Sequence, residues 1–297
     1  MKSLLTILAA VALLAGGGGA QAQPLAPLRR PAAPPPEPKA PPPPGPNDWR
    51  TVDPENMLVI ETSKGRVVVE LAPQMAPLHV ERIKTLARSK FYDGLEFFRV
   101  IDGFMDQTGD PKNDSTGQSE LPDVKGEFFF KRDPANPEFT SIGTVIQNEA
   151  GFIGSMPVFS QLAMMAPLMA DGKVNAWGAF CPGTLGAARS GDPDSANSQF
   201  FLMRDHYPAL EKTYTAYGRA LVGLNVIRSI KVGEPVEPPR DTVVTVRVAA
   251  DLPEAQRPKI RVVDTKSAWF KARAQETFVD RGLVFTPCAV DLPVEVR

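Results

Sequence analysis

Cysteine and histidine are nearly missing from this sequence. Two cysteines, Cys181 and Cys288, and two histidines, His79 and His206, stand in 297 residues. Two thiols cannot build a zinc ribbon, and neither histidine sits in an HExxH frame. Isolated histidines of this kind are expected at the surface. GxSxG and Walker loops are also missing, which removes the usual nucleophile and nucleotide signatures. An excess of one charge sign is missing too. Lys+Arg 33 against Asp+Glu 34 leaves a net charge of -1, without the basic stripe of a nucleic-acid binder. Beyond the N-terminal segment, no apolar run is long enough to cross a bilayer, so no stable membrane insertion is expected. What remains is chemistry that needs only binding and hydrogen bonds, with no metal and no cofactor.

Proline, by contrast, is abundant at 31 residues and unevenly spread. Residues 1–22 read as a signal peptide. Lys2 precedes an apolar run from Leu4 to Ala15, and Ala20-Gln21-Ala22 is an A-x-A cleavage pattern. No cysteine lies near that pattern to carry a lipid anchor, and export to a periplasm is expected. Residues 23–47 form a Pro-rich linker, with twelve prolines between Pro24 and Pro46. Such a run favours extended polyproline II and reads as a spacer. A docking motif for a proline-reading partner is the other reading, and that partner stays unknown.

The folded part is expected from residue 48, with an isomerase-sized unit to 251 and a C-terminal extension over 252–297. "MLVIET" (57–62) and "RVVVEL" (66–71) read as a hairpin. "APLHVERIKTLARSKFYDG" reads as a helix, with Val80, Ile83, Leu86 and Ala87 on one face. "FFRV", "NSQFFLM" (197–203), "TAYGRAL" (215–221) and "TVVTVRVA" (242–249) read as strands, and "GLNVIRSI" (223–230) as a short helix. Many short strands and two helices predict a mainly β fold, a closed antiparallel β-barrel plugged by helices.

"FFRVIDGFMDQTGD" (97–110) poses the functional question. Alternation puts Arg99, Ile101 and Gly103 on one strand face and Phe98, Val100 and Asp102 on the other. Arginine is rarely buried without a partner. Arg99 is therefore either a satisfied structural ion or a group held there to act on something.

Together with "GRVVVELAPQMAP", "DSANSQFFLM" and "ALEKTYTAYGRALVGLNVI", that stretch resembles the cyclophilin-type peptidyl-prolyl cis-trans isomerases. The resemblance covers roughly residues 57–250, interrupted by an insertion. It implies an eight-stranded antiparallel barrel with a helix closing each end. It also implies a groove in which Arg99 and Gln107 are catalytic. Phe104, Met105, Phe201 and Leu210 would take the proline ring, and Gln199 would hydrogen-bond the peptide backbone. Ala188, Arg189 and Tyr214 would complete the substrate-binding surface. The implied partners are proline-containing peptides and unfolded proteins.

Those residue types suit the reaction. Rotation about an X-Pro bond is resisted by amide resonance, with a barrier of ~20 kcal/mol. In the twisted state the proline nitrogen regains a lone pair, and a fixed N–H donor stabilises it above either planar isomer. No covalent step is needed. Arginine is permanently charged and rigidly forked, so it fits this role better than lysine.

The sequence departs from the family pattern at several points. Phe98 stands where the family often has histidine. "AARS" replaces the groove segment "MANA", placing the charged Arg189 on the rim. Ala209 replaces a large aromatic residue and should open one wall.

Three segments are additional: the linker, an insertion over about 128–180, and the C-terminal extension. "GSMPVFSQLAMMAPLM" in the insertion reads as a helix or loop packed on the barrel, or as an adaptable methionine surface for apolar partners. "LVFTPCAVDLPVEVR" near the C-terminus looks strand-like. Cys181 and Cys288 are the only cysteines, and the expected compartment is oxidising, so a disulfide between them is predicted. Two functions stay open: an isomerase, and a non-catalytic peptide-binding module that uses the same groove or the insertion.

Overall fold

The computed structural model describes residues 42–297; the signal-peptide reading and residues 23–41 of the linker lie outside the described residues. The strands in chain order are β1 (Trp49–Thr51), β2 (Met57–Thr62), β3 (Gly65–Leu71), β4 (Arg99–Ile101), β5 (Met105–Thr108), β6 (Phe130–Arg132), β7 (Phe139–Val145) and β8 (Asn148–Ile153). They continue with β9 (Met156–Gln161), β10 (Val174–Gly178), β11 (Thr184–Ala187), β12 (Phe200–Met203), β13 (Ala216–Val222), β14 (Val243–Val248), β15 (Ile260–Val263) and β16 (Val294–Val296). The α-helices are α1 (Pro77–Arg88), α2 (Leu224–Ser229) and α3 (Ala268–Arg281).

Eight strands form one antiparallel sheet in the order β14-β2-β3-β13-β11-β12-β5-β4. The expected barrel is not closed. β14 and β4 remain the two edges, and no ladder joins them among the described residues; the segment before β4 bridges to Thr242 and Val243 at the start of β14, and Val100 bridges to Gly233 in the preceding loop. The outer edge of β4 is taken up by the 231–241 loop, whose Gly233 exchanges both backbone hydrogen bonds with Val100, so the sheet is a curled half-barrel.

Both faces of this sheet are buried, which explains the nearly unbroken apolar runs of β2 and β3. Leu58, Ile60, Val67 and Val69 point inward against Val80, Ile83 and Leu86 of α1 and Ile227 of α2. Their neighbours Met57, Val59 and Val68 point outward into a second core. The two-residue period of the strand makes this division. β12 divides the same way: Phe200 and Leu202 face the first core, and Phe201 and Met203 face a third.

The second core is built largely by the additions. Ile142, Ala150 and Phe152 of the insertion pack with Val262, Phe270, Phe285 and Leu292 of the tail. The insertion, expected as helix or loop, is a five-stranded sheet in the order β6-β10-β9-β8-β7. Phe152 of β8 and Val158 of β9 lie on opposite faces of this sheet and pack into the second core and a third one respectively, with a tight turn at Gly154 (φ +57°) between the strands. Its methionines divide: Met156 is buried, whereas Met164 and Met165 are exposed on a 3-10 turn.

The tail also differs from expectation. Only Val294–Val296 of the strand-like segment is a strand, and β1, β15 and β16 form a separate three-stranded sheet. A third α-helix, α3, was not anticipated. Ser267 caps it by accepting from the Phe270 N–H, and Phe270 and Ala274, one turn apart, are buried. Cys181 and Cys288 are joined by a disulfide with Cα atoms 5.1 Å apart, tying the end of the insertion to the tail. No helix among the described residues is long and apolar enough to cross a membrane.

Candidate active site

Strand register brings the site together. Arg99 on β4 lies opposite Gln107 on β5, Gln107 opposite Phe201 on β12, and Phe201 opposite Gly186 on β11. These four therefore form one row across the outer face of the half-barrel. Met105 and Met203, two residues along, form the next row with Ile101.

A cavity of about 160 Å³ opens above these rows. It is lined by Arg99, Phe104, Met105, Gln107, Ala188, Arg189, Phe201, Leu210 and Tyr214. Gln199 is not among them; it lines an adjoining polar cavity of about 460 Å³. Arg99, Gln107, Ala188 and Arg189 face both spaces.

The floor of the smaller cavity is rigid. The Phe201 ring stacks on Phe180 at 6.0 Å and meets Tyr214 edge-on at 6.1 Å. A Cβ on Gly186 would lie 2.4 Å from Phe201 Cζ, so only glycine lets the ring lie where it does. Leu210 is set by the 3-10 turn Pro208–Leu210, and its carbonyl accepts from the Tyr214 N–H at 3.0 Å. Behind the floor stand Met156, Val158 and Ala176, so the insertion backs the cavity.

A hydrogen-bonded chain runs along the polar side. Arg99 Nη1 donates to Gln107 Oε1 at 3.2 Å, and Gln107 Nε2 donates to Gln199 Oε1 at 2.9 Å. Gln199 Nε2 in turn donates to the carbonyls of Gly117 and Ser115 at 2.8 and 3.3 Å. The Gln199 side chain, expected to meet a peptide backbone, is thus occupied within the protein as the link between Gln107 and the 115–117 loop.

Arg99 has two sets of neighbours. Its side chain lines the cavity and also pairs with Glu234, Nη2 to Oε1 at 2.6 Å. Arg189 lies over Tyr214 at 4.4 Å and over Phe128 at 5.6 Å, with Nε and Nη2 donating to the Thr213 carbonyl. It has no carboxylate partner among the ion pairs of the described residues.

Several groups near the site carry little sequence signal. Gly186, Glu234 and Phe128 act through long-range contacts. Tyr207 packs on Phe104 with ring centroids 4.4 Å apart, supplying an aromatic face two positions before the small Ala209. His79, expected at the surface, is buried at the start of α1. Its Nδ1 is 2.7 Å from Glu127 Oε2, and the same carboxylate accepts the Leu78 and His79 N–H groups.

Directly behind Gln107 the chain buries a charge pair. Arg204 Nη1 donates to Asp106 Oδ1 at 2.9 Å and to the Ile227 and Ile230 carbonyls at 3.2 Å. Burial pushes the Asp106 carboxyl up to about 7, against the pull of Arg204. This pair sits on the inner face and anchors the end of α2 to β5.

A curled half-barrel with an arginine–glutamine pair beside a small apolar hollow defines a groove for a compact ring flanked by a polar chain. The family pattern of the cyclophilin type peptidyl-prolyl cis-trans isomerases matches residues 57–250. A probable peptidyl-prolyl cis-trans isomerase of Brucella suis is 34% identical over 196 residues, covering 62% of this chain and 76% of that protein. The crystal structure of cyclophilin AquaCyp293 from Hirschia baltica is similar with a TM-score of 0.77 and 35% identity, covering 84% of this chain and 94% of the other. The chain belongs to the cyclophilin-type peptidyl-prolyl cis-trans isomerases and is an isomerase of that class.

Proposed function

We propose that this isomerase turns X-Pro bonds in unfolded or partly folded exported proteins, with Arg99 as the donor to the twisting imide nitrogen. The observation that carries this reading is the small cavity in which Arg99 and Gln107 meet Phe104, Met105, Phe201 and Leu210. A proline ring seated on Phe201 presents its nitrogen toward the arginine side. The lone pair that appears on twisting then meets a charged donor, whereas the planar amide offers it none. Gln107 holds one terminal nitrogen of the guanidinium, so the donor is oriented before the bond turns. Periplasmic localisation is part of the same reading. It is supported by the leader-like segment at residues 1–22 and by the Cys181–Cys288 disulfide, which belongs to an oxidising compartment. Identification of Gln23 as the mature N-terminus in a periplasmic fraction checks it, and a full-length cytoplasmic protein refutes it.

The test of the mechanism is Arg99→Ala, assayed on a short proline peptide at a temperature where circular dichroism shows the variant folded. Loss of a charge-assisted donor in a dry site lowers kcat/KM by about 30- to 1,000-fold. Arg99→Lys recovers little, because one mobile ammonium cannot both meet Gln107 and reach the nitrogen. A folded Arg99→Ala protein within about threefold of the parent, less than ~1 kcal/mol, removes the arginine from the mechanism.

A further inference from the structure

The guanidinium of Arg99 is gripped from two sides. Gln107 Oε1 takes Nη1, and Glu234 Oε1 takes both Nε at 2.7 Å and Nη2 at 2.6 Å. Gln107 is the facing residue of the next strand. Glu234 comes from the loop 231–241 after α2, far away in sequence.

That loop is fixed without help from the Glu234 side chain. Gly233 and Val100 exchange both backbone hydrogen bonds at 2.8 Å, and the Val236 N–H donates to the Phe98 carbonyl at 2.9 Å. Val236 is fully buried in the inner core. A Cβ on Gly233 would stand 2.6 Å from Val236 Cα, so the turn between them is tight. The backbone on both sides of Glu234 is therefore locked onto β4. An ordinary surface ion pair, with two wandering side chains, has no such support and contributes little.

The geometry points to Glu234 as a positioning residue for the isomerisation. It holds the Nε–Nη2 edge of Arg99, Gln107 holds Nη1, and one N–H on each terminal nitrogen remains unclaimed by either. This inference rests on the reading of Arg99 as the donor. A free arginine side chain samples many rotamers, and small displacements of a catalytic group are costly in rate. The carboxylate also lowers the positive potential near the imide. Glu234 is half-exposed, so solvent screens that charge effect, whereas the direction of the hydrogen bonds is not screened. Orientation therefore outweighs charge.

The experiment measures kcat and KM on a proline peptide for the parent, Glu234→Ala, Glu234→Gln and Arg99→Ala. Glu234→Ala is expected to lower kcat about five- to twentyfold with KM within about twofold. Glu234→Gln, which keeps an acceptor oxygen, is expected to return to within about threefold of the parent. The Arg99 Nε–H resonance should exchange slowly with water in the parent and the Gln variant and be lost in the Ala variant. An unchanged or raised kcat in Glu234→Ala overturns the proposal, as does a lowered melting temperature with normal kcat. Arg99→Ala separates the two readings. If it is inactive while Glu234→Ala matches the parent, only the positioning role fails; if it is active, the reading of Arg99 itself fails.

Discussion

Phe201 occupies the space that a side chain on Gly186 would need. The two residues face each other on β12 and β11, and a Cβ on Gly186 would also meet Phe180 at 3.0 Å. The ring cannot retreat, because Phe180 and Tyr214 already bracket it. Gly186→Ala is therefore expected to tilt Phe201 and shrink the cavity. Overpacking of this kind costs about 1–3 kcal/mol of stability. KM for a proline peptide should rise several-fold while Arg99 stays in place. A Gly186→Ala protein with parental KM would mean that the Phe201 face is not the ring's seat.

Arg189 presents a positive charge at the junction of the two cavities without a carboxylate to balance it among the described residues. Peptides with Glu before the proline should be turned over faster than those with Lys, by about three- to tenfold at low salt, and the difference should shrink as salt screens it. Arg189→Ala should abolish the preference while leaving an Ala-Pro peptide little affected. Equal rates for the Glu and Lys peptides in the parent protein would contradict this.

The Cys181–Cys288 bond closes a loop with a sequence separation of 107. Replacing both cysteines with serine should lower stability by up to ~4–5 kcal/mol in the chain-entropy model. The loss should appear in the tail and insertion first, because they share the second core. Denaturant unfolding followed at Trp269 of α3 and Trp177 of β10 measures it. An unchanged midpoint would show that packing alone holds the additions.

Asp106 gives a pH dependence with a defined sign. Its folded-state value is raised to about 7, above the ordinary 3.8, so the folded state holds a proton that the unfolded state has released. Stability from this residue therefore falls as pH rises from about 4 to about 7. Asp106→Asn cannot titrate. Its stability relative to the parent should climb by roughly 2.5 kcal/mol between pH 5 and pH 8. Paired urea titrations at the two pH values measure this. A flat or opposite difference would mean that Arg204 keeps Asp106 ionised throughout.

Much of the fold was legible because it is periodic or punctuated. The hairpin β2–β3 and helix α1 follow from alternation and a helical stripe, whereas the pairing of Arg99 with Gln107 is what the resemblance to the cyclophilin family implies. The same resemblance implies Phe201, Leu210 and Tyr214 near that pair, and nothing local in those residues requires it. α3 carries little signal in the sequence because its apolar stripe is thin, although Ser267 marks its start. The insertion's methionines and alanines cluster in the 3-10 turn Ala163–Leu168 between β9 and β10 and say little about the strands on either side of it.

Which residues alternate inward and outward can be read along the chain, since side-chain direction in a strand is set by the chain's own pleat. The packed chain alone reveals that the curled sheet stays open, that Gly186 must be bare beneath Phe201, and that Glu234 reaches Arg99. Those depend on which strands stop short, on a clearance of a few ångströms between separate strands, and on where a loop is pinned by Gly233 and Val236. Contacts between distant segments leave no period in the sequence, because each is a single meeting whose geometry exists only once the rest of the chain has packed.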